Sequence, residues 1–122
     1  MENENAIVVI SFDGYKDLWD TFFACYEKFF PDCTLPIYLI TNNELPTYPH
    51  VTAIATGTEV SWSHRVRNAL EHIPEDTLLV VLEDYLLCEK TSSAKISRLF
   101  EVFVENVYDY MRLVPIPAQH RK

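Results

Sequence analysis

Two adjacent carboxylates, Glu83 and Asp84, interrupt the apolar stretch LLVVLEDYLL. An ionised carboxylate is unfavourable to bury unless it is paired or bound to a metal, so we expect this pair where a buried strand leaves the core. Mg²⁺ and Mn²⁺ bind one or two carboxylates together with substrate phosphates. The pair therefore predicts a divalent-cation site that bridges to a diphosphate. The alternative is polarity at a strand end, with Asp84 bonding backbone amides in a turn and Glu83 solvated.

Two arginines are candidates for binding the phosphates directly. Arg65 and Arg67 lie in the stretch SWSHRVRNALEHI, near the start of an expected helix and beside its apolar face. A guanidinium binds phosphate through two parallel hydrogen bonds, and the free N–H groups of a helix N-terminus also favour anions. The alternative is a solvated helix face with pairs such as Arg67–Glu71.

Two further polar residues follow predicted strands. Asp13 comes after the first strand, and Asn42 lies in the Thr-Asn-Asn sequence after the second. Each has a side chain that suits a ribose hydroxyl or the edge of a base. Both residue types are also common in turns, so a local structural role is the alternative for each of them.

Predicted strands and helices alternate along the chain. Apolar runs without alternation indicate strands covered on both faces, whereas apolar residues three and four positions apart indicate helices. Strands are predicted at residues 6–12, 35–40, 51–55, 77–82 and 113–116. Helices are predicted at residues 16–30, at 62–73 with Ser61 or Ser63 as cap, and from 91 to about 110. This order predicts an α/β fold, a three-layer α/β/α sandwich with a mainly parallel sheet.

The fold class predicts where the polar residues meet. In open parallel sheets, ligands bind beyond the carboxyl ends of the strands. That rule places Asp13, residues 41–43 and residues 83–85 along one edge of the sheet. The candidate carboxylates and the arginine-bearing helix start are therefore expected to face one ligand.

Composition limits the possible functions. The 122 residues fit one domain, residues 1–122, with a flexible tail expected at 117–122. The formal net charge of −8 argues against a nucleic-acid surface, which relies on clustered Lys and Arg. Three cysteines without a CxxC pair favour reduced thiols and hence a cytoplasmic protein. The N-terminus is interpreted as a strand, not a signal peptide, and no apolar stretch is long enough to span a bilayer.

Several common catalytic and phosphate-binding motifs are missing. With only 2 glycines the sequence has neither a P-loop nor a dinucleotide fingerprint. The histidines do not stand at the HExxH or HxxxH spacing of zinc sites. The sequence also lacks the G-x-S-x-G motif of serine nucleophiles. This absence excludes the two commonest glycine-dependent ways of binding phosphates.

The sequence VRNALEHIPEDTLLVVLEDY resembles the central signature of GT-A-fold glycosyltransferases, the nucleotide-diphospho-sugar transferases. In family-two members an Ala-Arg-Asn-x-x-Leu helix precedes an apolar strand that ends in D-x-D. AIVVISFDGYKDLWDTFFACYEKFF is similar to the first strand and helix of that family, and PIYLITN to its second strand and nucleotide-facing turn. The likeness is greatest to a bacterial group with L-[DE]-D-Y in place of D-x-D.

The resemblance implies roles for individual residues. Glu83 falls on the first acidic position of D-x-D and Asp84 on the middle one, which implies a Mg²⁺ or Mn²⁺ site. Tyr85 stands at the last position, where the family usually has a metal-binding Asp and where a neutral phenol is a weak ligand. The diphosphate could instead be neutralised by Arg65 and Arg67.

The resemblance also implies a nucleotide-facing role for two strand-end residues. Asp13 and Asn42 fall where the family contacts the nucleoside. Together with the arginines and the acidic pair, they make up the expected donor site.

The resemblance further implies a function and a limit to it. It implies binding of a nucleotide-diphospho-sugar donor and glycosyl transfer to a hydroxyl acceptor, saccharide or other. The chain stops around where the acceptor-binding half of the family starts, so it looks truncated and no catalytic base is assigned. The alternative is a non-catalytic α/β interaction module or an inactive fragment. Uncovered sheet edges and apolar faces would favour a homodimer.

Overall fold

The computed structural model describes residues 5–58, 61–82 and 91–106. This part of the chain contains four strands and three helices. The strands are β1 (Asn5–Ile10), β2 (Ile37–Thr41), β3 (Val51–Ala55) and β4 (Thr77–Leu82). The helices are α1 (Lys16–Phe29), α2 (Trp62–Leu70) and α3 (Ser93–Glu105), and a short 3₁₀ turn, Asp13–Tyr15, precedes α1.

The four strands form one parallel sheet in the order β3–β2–β1–β4. Ile10 of β1 lies level with Ile40 of β2 on one side and with Leu82 of β4 on the other. The carboxyl ends of these strands therefore share one edge of the sheet. The prediction of an α/β fold with a parallel sheet is confirmed.

Successive residues of β1 belong to two separate hydrophobic clusters. Ile7 and Val9 pack with the aromatic face of α1, which includes the fully buried Phe22. Val8 and Ile10 pack with a second cluster that contains Ala69 of α2. Because neighbouring side chains of a strand point to opposite faces, β1 is covered on both sides, which explains its unbroken apolar sequence.

Helix and strand ends follow local chemistry. The Ser61 side chain accepts a hydrogen bond from the backbone N–H of His64 and caps α2, so Ser61, not Ser63, is the cap. The α2 helix is shorter than the predicted 62–73. Its last turn tightens, with Ile73 N–H donating to the Leu70 carbonyl, and Pro74 disfavours a helical residue before it.

Other bounds also differ from the predicted ones. β1 ends at Ile10 instead of residue 12, because Phe12 opens the 3₁₀ turn through its carbonyl. β2 begins at Ile37, directly after Pro36, which has no N–H to donate to the ladder. The predicted strand at 113–116, the tail at 117–122 and the far end of the third helix lie outside the described residues.

The start of α3 is anchored near the end of α1. The backbone N–H of Thr91 donates to the Phe29 carbonyl at 2.7 Å. The Asp32 carboxylate accepts from the N–H of Ser93 at 3.0 and 3.1 Å, and Ser92 caps the helix through Lys95 N–H. None of the helices in the described ranges has both the length and the apolar character needed to cross a membrane.

One buried carboxylate lies near the amino end of β4, and not at the carboxyl edge of the sheet. Glu75, in the loop before β4, is buried and accepts a hydrogen bond from the Tyr38 hydroxyl at 2.9 Å. Burial, together with this hydrogen bond to the carboxylate, raises the pKa of Tyr38 to about 12. The phenol therefore stays protonated and keeps donating across the neutral range.

Replacing Tyr38 by Phe should destabilise the protein by roughly 1–3 kcal/mol, because the buried Glu75 carboxylate loses its donor. Chemical denaturation at pH 7 measures the change. Tyr15→Phe is the matched control, since the Tyr15 side chain is exposed and its hydroxyl makes no hydrogen bond to any described residue. Equal stabilities of the two variants would contradict the expectation.

The contribution of the Tyr38–Glu75 hydrogen bond to stability should depend on pH. A phenol whose pKa is higher in the folded state stabilises the fold fully below the unfolded pKa of 10.0, and this contribution is lost as pH rises through about 12. The stability difference between wild type and Tyr38→Phe should therefore shrink across that range.

Candidate functional site

The carboxyl edge of the sheet is built from the segments that follow β1, β2 and β3. Backbone hydrogen bonds continue past the strand ends: Thr56 N–H donates to the Thr41 carbonyl at 3.0 Å and Gly57 N–H to the Asn42 carbonyl at 2.8 Å. Ser11 N–H donates to the Ile40 carbonyl at 3.0 Å. These hydrogen bonds hold the three segments in fixed positions, and we call residues 11–15, 41–44 and 56–57 together the rim.

Asp13 and Asn42 bind each other across this rim. The Asp13 carboxylate accepts from the backbone N–H groups of Asn42, Asn43 and Glu44 at 3.1, 3.0 and 3.4 Å. In return, the Asn42 side-chain oxygen accepts from Asp13 N–H at 2.8 Å, and its amide nitrogen donates to the Gly57 carbonyl at 2.9 Å. Gly57 has a φ of 88°, which favours glycine at this position.

This exchange gives both residues a structural role. The turn chemistry considered as the alternative for Asp13 and Asn42 is present, and it joins the ends of β1, β2 and β3. Contact with a nucleoside remains a prediction for both residues. Both residues lie at the same edge of the sheet as Arg65.

Arg65 turns inward from the first turns of α2. The residue is 5% exposed although it carries a charge. Its Nε donates to the Thr56 hydroxyl at 3.0 Å and its Nη2 to the Ser11 carbonyl at 2.5 Å. These contacts tie α2 to the ends of β1 and β3. Both acceptors are neutral, so they satisfy hydrogen bonds without cancelling the charge.

No acidic side chain forms an ion pair with Arg65 in the described part of the chain. Burial lowers the pKa of the guanidinium, and the charge of Asp13 opposes that shift. The carboxylate of Asp13 is itself engaged by three backbone N–H groups. A buried charge without a counter-charge is unfavourable, so this position suits an anionic ligand.

Arg67 lies elsewhere on the same helix. Its side chain is exposed, and it makes no ion pair with Glu71 or any other described residue. The structure thus brings Asp13, Asn42 and Arg65 together and leaves Arg67 at the surface. Glu83 and Asp84 lie outside the described residues.

Two exposed aromatic residues on the rim were not among the sequence-based candidates. Phe12 and Tyr15 are 39% and 45% exposed, and their ring centroids are 4.4 Å apart. A Cβ added at Gly14 would lie 3.1 Å from the Phe12 ring, so glycine leaves room for this arrangement. The available signal was the sequence SFDGY, in which two aromatic residues flank Asp-Gly directly after an apolar strand.

The partners of Arg65 were also missed. Ser11 and Thr56 are small polar residues near strand ends, a pattern too common to single them out. The Trp19 indole N–H donates to the Ser11 hydroxyl at 2.8 Å, which holds the Ser11 segment against α1. The relevance of these residues arises only from their contacts with distant parts of the chain.

A metal site is not provided by the described residues. Within residues 5–58, 61–82 and 91–106, no three His, Cys, Asp or Glu side chains are grouped so that they could hold a metal ion. The candidate ligands Glu83 and Asp84 follow β4, whose last residue Leu82 lies beside Ile10 at the carboxyl edge. The metal site therefore remains a prediction from the sequence.

Comparison with known proteins identifies no relative. The chain matches no protein-family profile, no curated protein and no solved structure.

Removing the Asp13 carboxylate should destabilise the rim. Asp13→Ala is expected to lower the free energy of unfolding by roughly 1–3 kcal/mol, because the partly buried N–H of Asn42 and the exposed N–H groups of Asn43 and Glu44 lose their acceptor. Asn43→Ala is the control on the same loop, since it keeps the backbone N–H that bonds Asp13. Denaturant titration distinguishes the two, and an Asp13→Ala variant as stable as Asn43→Ala would refute the structural role.

Proposed function

We propose that this chain is the donor-binding part of a glycosyltransferase-like protein that binds a nucleotide-diphospho-sugar at the carboxyl edge of its sheet. The observation that carries the proposal is the buried Arg65 guanidinium, which has hydrogen-bond partners but no counter-charge among the described residues. In this proposal the diphosphate supplies that charge. The finer assignment, a GT-A-type three-layer sandwich in a bacterial, cytoplasmic protein, is part of the same proposal.

Charge favours a small anion over a macromolecule. The chain has a formal net charge of −8, so a nucleic acid would be repelled by most of the surface. A single desolvated guanidinium still binds a phosphate strongly, because electrostatic attraction increases where water is excluded. A nucleoside diphosphate therefore fits the balance of charge better than a polyanion does.

The aromatic pair supports a ligand that carries a ring as well as a charge. Phe12 directly follows Ser11, whose carbonyl accepts from Arg65, and the Tyr15 ring lies beside the Phe12 ring with the two planes tilted by 41°. Exposed aromatic rings bind bases and sugars by stacking, worth about 1–3 kcal/mol per base. In this proposal the Phe12–Tyr15 pair binds the base or the sugar, and the Arg65 guanidinium binds the diphosphate.

The chemistry proposed for the site is glycosyl transfer from the nucleotide-sugar to a hydroxyl acceptor. Positive charge at the diphosphate stabilises the negative charge that develops on the leaving nucleoside diphosphate. Arg65 would supply part of that charge from within the described residues. Glu83 and Asp84 are the residues that would hold a Mg²⁺ or Mn²⁺ ion, which would add charge at the same group.

Isothermal titration with UDP, GDP and dTDP, each with and without Mn²⁺, tests the proposal. We expect at least one nucleotide to bind wild type, and Arg65→Lys to bind it roughly tenfold more weakly, because lysine cannot make a bidentate contact. The melting temperature of each variant shows whether the fold is retained.

Arg98→Ala is the control, since this exposed arginine of α3 forms ion pairs with Glu101 and Glu105 on its own helix and with no other described residue. Failure of all three nucleotides to bind wild type under either condition would reject the proposal. Binding that is unchanged when the metal is chelated would support the nucleotide site and contradict a role for the metal in it.

Asp84→Ala should lower nucleotide affinity more than it lowers the melting temperature, because a carboxylate that binds a metal contributes to the ligand and not to packing. Titration with Mn²⁺ and thermal denaturation of the same samples give the two numbers. The opposite result, a large loss of thermal stability with unchanged affinity, would mark Asp84 as a turn residue.

A second candidate function is a non-catalytic interaction module. Val80 lies in the middle of the apolar strand β4 and is 53% exposed, although its neighbour in the sheet, Val8, is buried. Within the described residues, β4 is the last strand on that side of the sheet. An exposed apolar side chain on the last described strand offers a contact for a partner or a second copy of the chain. This function is favoured if no nucleotide binds.

A further inference from the structure

The Thr56 hydroxyl lies between a fixed backbone acceptor and the Arg65 guanidinium. Its O–H donates to the Thr41 carbonyl at 2.9 Å, and its oxygen accepts from Arg65 Nε–H at 3.0 Å. A hydroxyl has a single hydrogen, and here that hydrogen is used on Thr41. The oxygen can therefore act only as an acceptor for Arg65, so the hydrogen bond always runs from the Arg65 Nε–H to Thr56.

A second hydrogen bond, from Nη2, also fixes the Arg65 guanidinium. Nη2 donates to the Ser11 carbonyl, and Ser11 is itself held by its N–H to Ile40 and by Trp19 at its hydroxyl. Nε and Nη2 share one edge of the planar guanidinium group. Thr56 and Ser11 therefore occupy that edge together and fix the plane of the group.

The end of the group is formed by Nη1 and by the second N–H of Nη2, and neither has an acceptor among the residues that the structure describes. An arginine offers five N–H donors in a rigid fork, and the Nη1–Nη2 edge is well suited to bidentate contact with two oxygens of a phosphate. Anchoring through neutral acceptors leaves the Nη1–Nη2 end, and a charge that forms no ion pair with any described residue, for a ligand.

We propose that Thr56 is a positioning residue, which orients Arg65 so that the Nη1–Nη2 edge binds two oxygens of a diphosphate. This inference rests on the proposed function and assigns a role to a residue that touches no ligand. The binding energy of a bidentate contact depends on its geometry, so an unanchored guanidinium must be ordered when the ligand binds, which lowers affinity.

The test compares three changes in β3 and its exit. Thr56→Val keeps the shape and removes the hydroxyl, Thr56→Ser keeps the hydroxyl, and Thr52→Val makes the same chemical change at an exposed position of β3. The probes are inorganic pyrophosphate and UDP, titrated calorimetrically without metal. Thr56→Val should weaken binding roughly tenfold, whereas Thr56→Ser and Thr52→Val should stay within about twofold of wild type.

A double-mutant cycle shows whether Thr56 acts through Arg65. In an Arg65→Lys background, Thr56→Val should cause no further loss of affinity, because there is no guanidinium edge left to orient. Thr56→Ala, which removes the hydroxyl without adding a methyl group in its place, repeats the measurement if the valine variant does not fold.

The possible outcomes separate this inference from the proposed function. If pyrophosphate, UDP, GDP and dTDP all fail to bind wild type, even when Mn²⁺ is added, both proposals fail. If wild type binds and Thr56→Val binds equally well, the positioning role is refuted while the donor site stands. If Thr56→Ser loses as much affinity as Thr56→Val, the hydroxyl is not what matters and the inference is also overturned.

Discussion

The carboxyl edge of this sheet is organised around a positive charge that is buried without a negative partner in the described residues. Arg65 joins α2 to the ends of β1 and β3 through two neutral acceptors, Ser11 and Thr56. Neutral acceptors compensate for lost hydrogen bonds to water but not for the lost solvation of the charge. The remaining electrostatic cost explains why an anion is the ligand class that this edge suits best.

The nearest acidic group does not remove that charge. Asp13 is close enough to oppose the effect of burial on the pKa of Arg65, yet its carboxylate is bonded to backbone N–H groups that follow β2. The carboxylate of Asp13 is thus used to hold the strand exits together. Asn42 completes that exchange, and the rim becomes rigid while the guanidinium keeps its charge.

The two candidate functions use different parts of the molecule. Donor binding depends on the rim, where strand ends, Arg65 and the Phe12–Tyr15 pair lie together. An interaction module would depend on the face of β4, where Val80 is exposed beside a buried β1. The two regions do not compete for the same side chains, so a chain with both properties is physically consistent.

The sequence by itself determined the alternation of elements and the common edge of Asp13 and Asn42, because hydrophobic periodicity and turn chemistry are local and parallel strands end together. Tertiary structure decided which arginine is buried. Arg65 and Arg67 are two positions apart, about 200° around a helix, and flank the same apolar face, so only packing against β1 and β3 separates them. It also decided the exchange between Asp13 and Asn42 and the roles of Ser11 and Thr56, because those contacts join residues far apart in the chain.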